Sequence, residues 1–92
     1  MFLNVGNNKN ILIERVVGIF DMDNATLSAV SRKFLSQSER AGLSTNAALD
    51  EIPKSFVLYI DSDNQYKICY SQLSTASLKG RLKFEESDAR VK

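Results

Sequence analysis

Short apolar runs broken by glycine and asparagine open the chain, with Gly6, Asn7 and Asn8 standing between FLNVG and NILIERVVGIF. Runs this short and this rich in β-branched residues predict a strand, a tight turn and one or two further strands. Gly18 inside VVGIF predicts a bulge or a close backbone approach. The period then changes. Leu27, Val30 and Phe34 recur at helical spacing and Leu35 widens the stripe, so residues 25 to 41 read as an amphipathic helix that Gly42 stops. LSTNAALDEIP mixes small and polar residues and reads as a loop closed by Pro53. KSFVLYID is a strand whose unbroken apolar core, Phe56 to Ile60, predicts burial on both faces. QYKICYS alternates Tyr66, Ile68 and Tyr70 with Lys67, Cys69 and Ser71, and pairs with it as a hairpin about Ser62-Asp63-Asn64. Ser74 caps a short helix over TASLKGRL, where Leu78 and Leu82 share a face and Gly80 is the weak point. Strands, helix, strands and short helix make a small, β-rich α+β domain over residues 1–84. Residues 85–92, EESDARVK, read as a charged flexible tail.

Two of these boundaries share a motif. IFDMDN at 19–24 and YIDSDN at 59–64 both run from apolar residues into Asp-x-Asp-Asn. The acidic spacing is that of the first half of a calcium loop, but such a loop also needs Gly at its sixth position and a bidentate Glu at its twelfth. Thr26 and Arg32 stand there in the first copy, Tyr66 and Gln72 in the second. An Arg at the bidentate position repels a cation. Asp and Asn also accept hydrogen bonds from backbone N–H groups two or three residues ahead, so both copies read as turns, the first capping the helix after it. No metal is expected at Asp21/Asp23 or Asp61/Asp63, and nothing calls for a cofactor.

A length of 92 residues, 43% hydrophobic and 25% charged, describes one small globular domain. So short a chain buries a modest fraction of its surface, and self-association is a natural further source of stability. No run approaches a membrane span, and MFLNVGNNKN has neither the basic nor the apolar region of a leader, so a cytoplasmic protein without a membrane partner is expected. Cys69 is the one cysteine and histidine is absent, which removes intrachain disulfides, Cys/His zinc sites and imidazole triads. An enzyme is not expected, and Cys69 reads as a small buried hydrophobe.

The net charge of +1 hides an uneven distribution. Residues 25–45 carry Arg32, Lys33 and Arg40 against Glu39, and residues 65–83 carry Lys67, Lys79, Arg81 and Lys83 unopposed. Residues 46–64 set Asp50, Glu51, Asp61 and Asp63 against Lys54. Such polarity suits a basic face against phosphates or opposite faces that join subunits, as well as ordinary solvated exteriors. Arg15 and Lys54 each stand directly before an apolar strand, where a long cation either snorkels to water or points at an anion. Tyr59, Tyr66 and Tyr70 suit a core or subunit interface more than base stacking.

The order of FLNVG, RVVGIFD, the helix with its KFL, PKSFVLYI and YSQLSTASLKGR, over residues 2 to 82, resembles the Rem family of bacterial extracellular-matrix regulatory proteins, most of all its RemB branch. The resemblance implies a DNA-binding transcriptional regulator of biofilm-matrix genes, associated with the nucleoid. It also implies ring-like homo-oligomers that present a basic surface to duplex DNA, so the expected partners are the phosphate backbone of duplex DNA, further copies of the chain and a related family member. Arg15 falls on a family arginine implicated in DNA binding. A second basic cluster, which precedes the later strand in the RemA branch, falls near Ile52, Pro53 and Lys54, where only Lys54 is basic and Asp50 and Glu51 stand beside it. Three outcomes follow for that cluster: weaker DNA affinity, contact moved to Lys79, Arg81 and Lys83, or no DNA contact. The alternative to a DNA-binding regulator is an oligomeric protein–protein interaction module.

Overall fold

Gly6, Asn7 and Asn8 all take positive φ, at 107°, 49° and 63°, a region that Gly and Asn enter most readily. They turn β1 (Phe2–Asn4) back onto β2 (Asn10–Leu12) as an antiparallel ribbon. The computed structural model describes the backbone of residues 1–91 and side chains as far as Lys83. A single 3-10 turn, Ile13–Arg15, leads into β3 (Val16–Asp21). There the register against the neighbouring strand shifts between Val16 and Gly18, which is the bulge expected at this glycine. The close approach is by a side chain: a Cβ at Gly18 would stand 2.8 Å from the ring of Phe20.

The helical stripe divides. Asp21 caps a short α1 (Met22–Ala25), the chain breaks at Thr26–Ser28, and Ser28 caps α2 (Ala29–Arg40) by accepting from the Ser31 N–H. One continuous helix from 25 to 41 is therefore corrected to two. Across the break the buried face changes phase, so that Leu35 and Ser38 enter the core while Leu27 and Val30 are left 81% and 79% exposed. Ser38 tolerates full burial because its hydroxyl donates to the Phe34 carbonyl one turn back (2.8 Å).

The segment read as a loop holds a strand, β4 (Ser44–Asn46), parallel to β6 (Tyr66–Ser71). Three polar residues carry no alternation to read, and the strand exists because a ready edge accepts it. The Ile68 N–H donates to the Leu43 carbonyl and the Ala47 N–H to that of Tyr70, both at 2.9 Å. β5 (Ser55–Ile60) and β6 form the expected hairpin, with Asn64 at positive φ in its turn. The order β3-β5-β6-β4 makes β5 a central strand, hence its apolar run.

Ser74 accepts from the Ser77 N–H (3.1 Å) and starts α3 (Thr75–Val91). This helix runs past the segment TASLKGRL. The side chains of the tail expected over 85–92, and Lys92 altogether, lie outside the described residues.

Three layers result. On one face of the sheet Val57 and Cys69 pack with Leu3, Val5 and Ile11 of the ribbon and Leu78 of α3. On the other, Phe56, Ile68 and Tyr70 meet Leu35 of α2. Full burial of a residue such as Val57 or Ile68 stabilises by about 1.5–3 kcal/mol each. The molecule is a small α+β domain, and among its described residues no helix is long and apolar enough to cross a membrane.

Candidate functional site

Arg15 ends the 3-10 turn, which brings its guanidinium over the top of β5. Its Nη1 donates to the carbonyl of Asp61, at the start of the β5–β6 turn (2.9 Å). The partner is a neutral oxygen, so this bond does not offset the guanidinium's charge. A guanidinium carries five N–H donors, and this bond fixes one of them while leaving capacity for an anion.

Asp61 organises the same turn. Its Oδ1 accepts from the Asp63 and Gln65 N–H groups (2.9 and 3.2 Å), and its Oδ2 lies 3.4 Å from the Lys67 ammonium. Desolvation works to raise its pKa, but those two N–H groups and Lys67 outweigh it and hold the carboxyl below its ordinary value. Asp21 repeats the pattern, accepting from the Asp23 and Asn24 N–H groups (2.7 and 3.2 Å). Both Asp-x-Asp-Asn copies are thus Asx turns in which the leading carboxylate binds backbone.

Lys54 lies at the opposite end of β5. Its N–H donates to the Ser71 carbonyl and its carbonyl accepts from Met22, so the backbone is pinned while the side chain is exposed. At about 3.3 Å per residue, β5 separates Arg15 from Lys54 by roughly 20 Å. Lys79 and Arg81 are two residues apart on α3 and point to different sides. Lys79 is exposed beside β3, whereas Arg81 Nη1 donates to the carbonyl and the side-chain oxygen of Asn4 (2.9 and 3.2 Å). One protomer therefore does not gather the four cations into one patch.

Two of the tyrosines, Tyr59 and Tyr70, pack into the core clusters, whereas Tyr66 is 36% exposed. Tyr70 is buried and its hydroxyl donates to Glu39 (2.7 Å); burial and the Glu39 carboxylate push its pKa up. Tyr66 stacks on Phe34 with ring centres 5.6 Å apart. Burial also raises the pKa of the Cys69 thiol, which has no exposed surface, as expected of a small hydrophobe.

Sequence reasoning missed an apolar groove of about 720 Å³ between β3, β5 and α2, lined by Phe20, Phe34, Phe56, Leu58 and Val30, with Lys79 at its rim. Phe20 and Phe56 stack there with ring centres 5.0 Å apart. The Leu27/Val30/Phe34 stripe was the signal for an apolar surface at this place, but its spacing does not say that α2 covers only part of the sheet.

No protein-family model matches the chain, and no curated protein matches it.

Proposed function

We propose that the chain is a DNA-binding transcriptional regulator that works as a homo-oligomer, with Arg15 as its principal phosphate contact. The observation that carries this reading is the setting of Arg15: a cation steadied by a neutral carbonyl, with no carboxylate paired to it among the described residues. Lys54, Lys79 and Arg81 add weaker contacts. Because these cations are spread over the protomer, affinity comes from repetition across subunits, each supplying one or two phosphate contacts that gain by avidity. The sequence resemblance supports a ring-like assembly larger than a dimer, cytoplasmic and nucleoid-associated, acting on extracellular-matrix genes.

Retention on heparin followed by a mobility shift on duplex DNA tests the reading. Wild type is expected to bind at low salt and Arg15→Ala to lose about tenfold or more, since every subunit loses the contact together. Equal binding by the two proteins would remove Arg15 from the interface. If neither bound, the second reading would replace the first: an oligomeric interaction module without DNA binding, which the net charge of +1 and the exposed apolar side chains favour.

A further inference from the structure

Two groups of exposed apolar side chains stand on either side of α1. On one side the loop after β4 presents Leu49 and Ile52, 62% and 87% exposed, with Asp50 and Glu51 between them. Leu49 takes φ 56°, a conformation that a branched residue adopts only where surrounding structure enforces it. Ile52 shares a small cleft with Asp21 and Asp23. On the other side of the same short helix, where Asn24 and Ala25 form part of the wall, lies the groove of Phe20, Val30, Phe34 and Phe56. Cations outnumber carboxylates around it. Asp21 and Lys79 both line it, the Asp21 carboxylate being taken up by the Asp23 and Asn24 N–H groups, while Lys33 and Arg32, whose Nη1 donates to the Thr26 carbonyl (2.6 Å), are exposed on α2 beside Val30. None of these three cations, nor Asp50 or Glu51, is in an ion pair among the described residues.

We infer that loop 49–52 of one copy of this chain docks into the Phe20/Val30/Phe34/Phe56 groove of a second copy, with the reciprocal contact made at the same time. Complementarity of charge selects the occupant: an acidic loop with two protruding aliphatic side chains matches an apolar groove beside which Lys79, Arg32 and Lys33 outnumber Asp21. Proximity selects the symmetry. The cleft that holds Ile52 and the groove share Asp21 in their walls, so the two lie side by side on one protomer, and a two-fold axis near α1 sets each loop over the other copy's groove, as an isologous contact requires. Ile52 and Leu49 then cover Val30 and Phe20, and Asp50 and Glu51 come to Lys79, Arg32 and Lys33 of the second copy. The inference rests on the homo-oligomer part of the proposed function. An isologous pair closes on itself, so an assembly larger than a dimer uses a second, different contact as well.

The test combines sedimentation velocity over a concentration series with directed cross-linking. Val30→Glu and Ile52→Glu alter exposed side chains, so both variants are expected to keep the wild-type thermal transition while self-association weakens by about tenfold or more. A mixture of Val30→Cys and Ile52→Cys proteins is expected to form a disulfide between unlike chains; Cys69 is buried and stays out of the reaction. If wild type assembles and neither Glu variant changes its mass distribution, the contact is overturned while the oligomer stands. If wild type stays monomeric throughout, the second copy is the wrong occupant and the homo-oligomer reading falls with it. DNA binding by such a monomer would show that the phosphate-contact reading survives separately.

Discussion

At the scale of single residues, most polar side chains that suggested chemistry are satisfied by backbone. Asp61 accepts from two N–H groups and faces Lys67, so its ionised form is favoured by the fold. Its folded pKa lies below the ordinary value of 3.8; its stabilising effect is therefore complete above that value and is lost as pH falls through the lower folded one. The expected outcome is that the Asp63 and Gln65 amide signals shift together in an NMR titration below pH 3.8, and that Asp61→Asn removes the step. A step at or above the ordinary carboxylate value would contradict the turn geometry. Cys69 offers a second check. With no exposed surface and a raised thiol pKa, it is expected to resist alkylation in the native protein and to react once denaturant unfolds the chain.

Elements divide the apolar residues differently from their spacing. Leu27, Val30 and Phe34 mark a helical stripe, yet the break at Thr26–Ser28 gives α2 a face led by Leu35. Leu35→Ala is expected to cost about 2–5 kcal/mol in urea unfolding, because it leaves a cavity against Phe56 and Ile68, while Val30→Ala is expected to stay within about 0.5 kcal/mol. Comparable losses at the two positions would restore the single continuous stripe. In β3 the absence of a side chain at Gly18 matters as much as any side chain present. A methyl group there would meet the Phe20 ring at 2.8 Å, so Gly18→Ala should push that ring off Phe56. The loss of the stacked pair is worth about 0.5–1.5 kcal/mol and would appear as altered ring-proton shifts of Phe56.

For the whole molecule, the distribution of cations decides how DNA is held. Arg15 and Lys54 lie at opposite ends of β5, and Arg81 is engaged with Asn4, so an isolated protomer makes few simultaneous phosphate contacts. An assembly that supplies about six contacts or more is expected to show a slope of log K against log salt of roughly −5 or steeper, measured by fluorescence anisotropy on a duplex. A slope near that of one or two contacts would mean that protomers bind singly.

The amino-acid pattern by itself determined the class of small α+β domain, the turns at Gly6–Asn8 and Ser62–Asn64, the central strand β5 and its hairpin partner, the bulge at Gly18 and the burial of Cys69. Those features follow from local causes, namely residue periodicity, left-handed turn residues and runs too apolar for an edge. Only the tertiary structure decided that Ser44–Asn46 is a strand, that the helical stripe breaks in two, that Arg15 rests on the Asp61 carbonyl, and that Phe20, Phe34 and Phe56 line one groove. Each depends on groups far apart in the chain: β4 is held by β6 some two dozen residues later, and the carbonyl that holds Arg15 belongs to a turn 46 residues away. Local preference cannot encode such distances, because what stabilises each group is supplied only when the other element has already packed.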